Sequence, residues 1–180
     1  MGNIDNLELG PCVVALGVAG SEIDLGFTKG GVTVTIETAV ADVTTDQLGE
    51  VIAKQILVGR NATITVPFAE TDLALMAKIV PLASHVINNV DSTRKKTIIN
   101  TPVGADLVAS AALSLLLIKA IGNVSSSNLN DRFRFFKAAP TGEVEFSFSI
   151  EDQRVFEVEF TAYPDADQSF ALGVFGDEGA

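Results

Sequence analysis

The sequence predicts a mainly β fold, an antiparallel β-sandwich or barrel with one flanking α-helix at about residues 71–80. Strict alternation of apolar and polar residues recurs along the chain, most clearly at 31–38, 143–150 and 154–161. Only one segment shows a helical period with end signals. A length of 180 residues suits one domain spanning 1–180, with an N-terminal arm (1–11) and an acidic C-terminal tail (164–180) expected at the periphery.

The first strands follow from short apolar runs bounded by glycines. Residues 12–19 form such a run, and the glycine-rich segment 26–31 predicts a turn after it. In the next strand, 31–38, β-branched residues dominate and the two faces differ. One face carries Val32, Val34 and Ile36, and the other carries Thr33, Thr35 and Glu37.

The segment 40–50 is acidic and lacks alternation, which predicts a connection rather than a strand. Two strands are predicted after it, at 51–58 and 62–68. Between them lies Gly59-Arg60-Asn61, a composition typical of a hairpin turn.

The helix is predicted from one apolar stripe and from its two ends. Thr71 can cap its start, and Pro81 stops it. The residues spaced along one face of the helix are Leu73, Met76, Ala77 and Val80.

The second half of the chain is predicted to be rich in strands. After a polar loop, 97–99 is a short strand and 132–138 is another, and 143–150 pairs with 154–161 through a tight turn at 151–153. The apolar segment 107–121 is compatible with a helix or with a strand buried on both faces, because its pattern alone does not distinguish them.

Composition limits the classes of function. Apolar residues make up 47% of the chain and charged residues only 19%, against about 25% in typical soluble domains. Either the core is unusually rich or apolar surface is buried against other chains, and we favour the second interpretation. A net charge of −11 argues against a protein that grips nucleic acid, because phosphate binding needs a basic face.

No combination of residues predicts catalysis, a metal site or a cofactor. His85 is the only histidine, and no G-x-S-x-G motif accompanies it. Cys12 lies in an apolar strand and is expected to be a small buried hydrophobe. The acidic N-terminus lacks the basic-then-apolar order of a signal peptide. We therefore expect a protein that is not an enzyme and has no cofactor.

The order of elements resembles that of phage tail tube proteins (major tail proteins). The similarity begins with Gly30-Gly31-Val32-Thr33-Val34-Thr35-Ile36-Glu37, continues through Asp42 and Asp46-Gln47, and reaches the helix through Val66-Pro67-Phe68-Ala69-Glu70-Thr71. Phe135-Phe136-Lys137-Ala138-Ala139-Pro140 and the segment 156–165 also match. The resemblance covers roughly residues 25–165, matches 90–130 less clearly, and favours a strand at 107–121.

The resemblance implies a virion structural subunit that assembles in the bacterial host cytoplasm. Its hexameric rings stack into a tail tube, through which a tape-measure protein and viral DNA pass without tight binding. It makes Thr33, Thr35 and Glu37 candidates for the lumen wall. Asp42, Asp46 and Glu50 become candidates for an acidic loop between rings or at the lumen edge. The alternative for all six is a polar surface that only faces solvent.

Other classes of function remain open at this point. Another ring-forming virion part or a secretion-system tube subunit would be built on the same kind of self-assembling β fold. A monomeric β-barrel that binds a small ligand is a further alternative, although the absence of Trp and the single Tyr argue against sugar binding. The expected partners are copies of the same chain, the tape-measure protein, DNA and neighbouring tail proteins, and no membrane.

Overall fold

The computed structural model describes residues 10–47, 49–70, 72–121, 124–125, 127–142, 144–145 and 153–179. Its fold is mainly antiparallel β, as the alternation predicts. The strands are β1 Cys12–Gly17, β2 Ile23–Asp24, β3 Thr33–Thr45, β4 Gly49–Phe68, β5 Ser84–Ile87, β6 Lys95–Ile98, β7 Leu113–Ile121, β8 Val124–Ser125, β9 Arg132–Pro140, β10 Phe156–Tyr163 and β11 Gly173–Phe175. Two short helices join them, α1 Leu73–Ile79 and α2 Leu107–Ala111.

Nearly all strands belong to one sheet. Within the described ranges this sheet has nine strands, in the order β2-β1-β7-β9-β10-β4-β3, with β11 paired to β9 and β8 to β7. Every pairing is antiparallel. β5 and β6 form a separate two-stranded hairpin.

The sheet curls around a single apolar core. Side chains from β1 near one end of the sheet and from β4 near the other belong to the same buried cluster. Strand β10 shows the expected alternation, because Phe156, Val158 and Phe160 are buried while Glu157 and Glu159 are exposed. This alternating burial places apolar side chains in the core and polar ones on the outer face.

The helix prediction is confirmed in position but corrected in its buried face. Helix α1 spans Leu73–Ile79 and ends before Pro81. Leu75 and Ile79 are its buried residues, whereas Leu73 is largely exposed. Thr71, the predicted cap, lies outside the described residues. The predicted stripe is therefore correct in part: Met76 and Val80 are partly buried against the core, and the buried face extends to Leu75 and Ile79, spaced i, i+4.

Segment 107–121 contains both structures that its composition allows. Residues Leu107–Ala111 form α2, and Asp106 caps it by accepting hydrogen bonds from the N–H groups of Val108 and Ala109. Residues Leu113–Ile121 form β7, which lies between β1 and β9 with Leu115 and Leu117 in the core. The strand favoured for the whole segment is thus correct only for its second part.

Two predicted connections are strands. The polar loop expected after the helix contains β5, which pairs with β6. The acidic segment 40–50 was predicted to be a connection, and it instead continues β3 to Thr45, turns at 46–47 and enters β4 at Gly49. Residues 143 and 146–152 of the predicted 143–150 hairpin lie outside the described residues, while 154–161 corresponds to β10.

A polar network ties the C-terminal segment to the sheet. Arg134 on β9 places Nη2 3.1 Å from Glu22 Oε1 and Nη1 2.6 Å from Glu178 Oε1. Glu22 also accepts hydrogen bonds from Ser114 Oγ and the Gly20 N–H, both at 3.0 Å. Burial favours a raised pKa for the Glu22 carboxyl. The hydrogen bonds and the Arg134 charge outweigh burial, so the pKa is lowered. The segment after 164, expected to be peripheral, is thereby held by this network and by β11.

Candidate assembly interface

Strands β3 and β4 form one long hairpin. Thr33 pairs with Thr65 at its base, and the ladder continues to Thr45 and Gly49 at its tip. Gly59-Arg60-Asn61 is not the predicted turn, since β4 runs unbroken through it from Gly49 to Phe68. Only the second half of β4, from Ala62, has side chains in the core. We call residues 38–60 the projecting hairpin.

The projecting hairpin is exposed on both faces. Every described residue within it is exposed except the half-buried Val43. Val40 and Leu57 are directly paired and share one face, while Ala41 and Ile56 share the opposite face. Leu57 is 54% exposed, Ile56 49% and Val58 69%. Apolar side chains therefore face solvent on both sides of this two-stranded ribbon.

The ladder of the projecting hairpin is interrupted by bulges. Ala39 pairs with Gly59 and Val40 with Leu57, so Val58 has no opposite residue. A second irregularity separates Val43 from Thr44. Bulges bend a strand and increase its twist, so a bend is expected at the base of the projecting hairpin.

The outer edge of β3 is open. It is the last strand in the sheet order, and the described residues place no strand against its far side. The edge is 13 residues long. Long open edges with apolar side chains promote pairing with other chains unless they are covered.

An apolar groove opens at the base of the projecting hairpin. Its volume is about 530 Å³, and its lining includes Val34 and Ile36 of β3, Leu117 of β7 and Phe133 of β9. Phe133 and Phe175 pack edge to face beside it, with ring centroids 4.9 Å apart. Apolar exposure thus continues from the projecting hairpin onto the body of the protein.

The three predicted wall residues lie together on a polar sheet face. Thr33, Thr35 and Glu37 are exposed and pair with Thr65, Thr63 and Asn61 of β4. The same face of the sheet continues onto β10, where Glu159 pairs with Thr65 and Thr161 pairs with Thr63. Threonines and carboxylates thus share this face, and the structure adds two carboxylates, Glu157 and Glu159, to the predicted set.

Two of the three acidic candidates lie in strands rather than in a loop. Asp42 lies within β3, where its Oδ1 accepts a hydrogen bond of 2.8 Å from Gln55 Nε2. Asp46 lies in the turn and Glu50 at the start of β4. All three are exposed at the distal half of the projecting hairpin. They are therefore separate from the polar face that carries Glu37.

Of the residues considered for chemistry, Cys12 lines the apolar groove and His85 lies elsewhere. His85 is on β5, with Nδ1 3.4 Å from Thr97 Oγ1. Cys12 begins β1, and burial raises the pKa of its thiol to about 11, despite an opposing hydrogen bond with the Ile118 backbone. Among the described residues, no three His, Cys, Asp or Glu side chains converge as a metal site. No helix within the described ranges has the length and apolar character needed to cross a membrane.

Comparison with known proteins finds weak similarity to several solved chains, including two from gene transfer agent particles. No family model and no curated protein matches the chain. A chain from the virion of a native gene transfer agent particle is 11% identical, with 89% of this chain and 93% of that chain covered and a TM-score of 0.46. A chain from the tail of an empty gene transfer agent particle with C6 symmetry is 12% identical, with the same coverage and a TM-score of 0.47. Similarity at this level does not assign a function.

Proposed function

We propose that this chain is a single-domain, non-enzymatic structural subunit of a phage tail tube. Copies form hexameric rings that stack, and the lumen conducts viral DNA during ejection. The observation that carries this proposal is the projecting hairpin, which exposes apolar side chains on both faces. The sequence resemblance supports the sixfold ring and the tube. The exposed hairpin supports the need for a partner subunit.

A two-stranded ribbon of this kind needs neighbours. Isolated hairpins are marginally stable in water, because too little apolar surface is buried to offset chain entropy. Here both faces carry valine, isoleucine or leucine, so a partner is required on each side. Identical subunits around an axis supply both partners, one through each face or edge, and such heterologous contacts close into a ring.

The polar face is proposed as the lumen wall. Thr33, Thr35 and Glu37 are exposed there beside Glu157 and Glu159, which gives a surface of hydroxyls and carboxylates. DNA binds basic walls by releasing counterions, and an acidic wall offers no such gain. Repulsion acts over about one Debye length, about 8–10 Å, so DNA and the tape-measure protein pass without adhering.

The distal carboxylates are proposed to lie where one ring meets the next. Asp42, Asp46 and Glu50 are carried beyond the body of the protein by the projecting hairpin. A segment that extends past its own core is suited to contact a neighbouring subunit. The subunit is then located in the virion tail after assembly in the host cytoplasm, in contact with neighbouring tail proteins.

Negative-stain electron microscopy of the purified full-length protein, with sedimentation velocity across a concentration series, tests the proposal. Rings with sixfold symmetry, or tubes built from them, are the expected result. Single rings that never stack would favour another ring-forming virion part. A protein that stays monomeric at high concentration contradicts the proposal.

A further inference from the structure

The β5–β6 hairpin is a platform that packs against helix α1. Thr97 Oγ1 donates a hydrogen bond of 2.6 Å to the Leu73 carbonyl, which fastens β6 to the helix. In the connecting loop, Asn88 Oδ1 accepts hydrogen bonds from the N–H groups of Val90 and Asp91. The loop conformation is therefore set by its own side chains.

Three consecutive cations, Arg94, Lys95 and Lys96, lie at the start of β6. Because side chains alternate along a strand, Lys96 shares a face with its partner Val86, and Lys95 points to the opposite face. Among the described residues no carboxylate forms an ion pair with these cations, and Asp91 accepts hydrogen bonds from Thr93 instead. A shallow depression is lined by Val86 and the cations, and Val90 of the connecting loop is 98% exposed. We call Val86, Val90, Arg94 and Lys96 the basic surface.

The distal end of the projecting hairpin has the complementary character. Between residues 40 and 53 the chain has three carboxylates, Asp42, Asp46 and Glu50, and no cation. Val51 and Ile52 are exposed next to them. We call Asp42, Asp46, Glu50, Val51 and Ile52 the acidic end. Each surface thus combines exposed branched apolar side chains with one sign of charge.

We propose that the basic surface of one copy docks on the acidic end of a second copy. This contact rests on the proposed self-assembly and specifies which surfaces of two subunits meet. Opposite charges steer the encounter and fix its register, while like charges facing each other disfavour wrong pairings. The valine side chains of the basic surface and Val51 and Ile52 of the acidic end become buried in the contact.

A second copy fits the basic surface better than nucleic acid does. The chain carries a net charge of −11, so a polyanion is repelled by most of the molecule. Two cations offer few phosphate contacts, and exposed valines do not match a phosphate backbone. Nucleic-acid binding is therefore an outcome for the experiment to exclude.

A charge-swap series in the full chain tests the contact. The variants are Arg94→Glu/Lys96→Glu, Asp46→Lys/Glu50→Lys, and both pairs combined, which restores the wild-type net charge. A matched control combines Arg94→Glu/Lys96→Glu with Glu70→Lys/Asp167→Lys, which restores net charge at two exposed carboxylates outside the basic surface, the acidic end and the polar face. Sedimentation velocity measures the concentration at which each chain assembles, at about 0.05 and 0.5 M salt.

Each variant that is swapped on one surface only is expected to need an about tenfold or higher protein concentration to assemble at low salt. The reason is that two pairs of like charges replace two pairs of opposite charges in the contact. The combined swap is expected to return close to wild type, and the matched control is not. High salt should narrow these differences.

The outcomes separate this contact from the self-assembly on which it rests. A wild-type chain that stays monomeric overturns both. An assembling wild type whose swapped variants assemble equally well, or whose combined swap is no better than the matched control, overturns only the contact. If the wild type retains duplex DNA and the Arg94→Glu/Lys96→Glu variant loses that retention while assembling normally, the surface is a nucleic-acid site and the contact is wrong.

Discussion

Two apolar side chains on opposite faces of the projecting hairpin offer a direct test of its role. Ile56 and Leu57 are each about half exposed in the isolated subunit, at 49% and 54%. Replacing both with threonine keeps a residue favoured in strands while removing apolar surface. The double variant should therefore fold normally as a monomer and assemble poorly.

The size of the effect follows from the exposed fractions. Burying a whole Leu or Ile side chain stabilises by about 1.5–3 kcal/mol, so burying the exposed half contributes about 1 kcal/mol at each position. The two substitutions together should weaken each subunit contact by about 2 kcal/mol, or about thirtyfold in association constant. The free energy of unfolding of the monomer should change by less than about 0.5 kcal/mol, since neither side chain is in the core.

Mass photometry or sedimentation velocity over a concentration series measures assembly, and denaturant unfolding at low concentration measures monomer stability. Val103→Thr is the matched control, because Val103 is fully exposed outside the projecting hairpin. It should leave both quantities unchanged. If the double variant assembled at the wild-type concentration, the projecting hairpin would not be a subunit interface.

Three further predictions concern the subunit itself. Glu22→Gln should lower the free energy of unfolding at pH 7 by about 2 kcal/mol, because it removes a carboxylate that Arg134 and three hydrogen bonds stabilise. Because the pKa of Glu22 is lowered on folding, its contribution is complete above the unfolded pKa of about 4.3 and is lost as pH falls through the folded pKa. Urea titrations of wild type and variant between pH 3 and pH 7, roughly the range over which carboxylates titrate, should therefore converge at the acid end. Cys12, whose pKa is raised to about 11, should resist a thiol reagent at about pH 8 until the chain is unfolded; rapid labelling of the native protein would contradict its burial. Phe160→Ala should lower the free energy of unfolding by about 3–5 kcal/mol, because Phe160 is buried in the core. Phe170→Ala, at an exposed position, should change it by less than about 0.5 kcal/mol. Equal effects of the two substitutions in denaturant unfolding would mean that the core is wrongly identified.

The parts of the fold that alternation predicts are those with one face in the core. In β10, Phe156, Val158 and Phe160 are buried between exposed glutamates. The apolar–polar alternation in the sequence therefore corresponds directly to the alternation of buried and exposed side chains. The polar face at Thr33, Thr35 and Glu37 was identifiable from the same alternation, although the opposite face is not in the core: Val34 and Ile36 are 37% and 45% exposed and line the groove. Its role as a lumen wall is a property of the assembly and stays a prediction.

The projecting hairpin was missed because its sequence is not shaped by a core within the same chain. Both faces of residues 40–45 are exposed in the subunit, so no alternation is required there, and the acidic residues made the segment resemble a loop. Gly59 suggested a turn, but it lies next to the unpaired Val58. Glycine within a strand often marks a bulge, and this sequence signal could have identified the long strand.

Mutations in the two parts of strand β4 should affect two different steps, folding of the subunit and its assembly. Its second half, from Ala62 to Phe68, completes the core on which the solitary subunit depends for folding. Its first half contributes almost nothing to that core. Substitutions before Ala62 should therefore yield well-folded subunits that assemble poorly, and core substitutions from Ala62 onward should destabilise the fold. Under the proposed self-assembly, each subunit can then fold to completion before it contacts another copy.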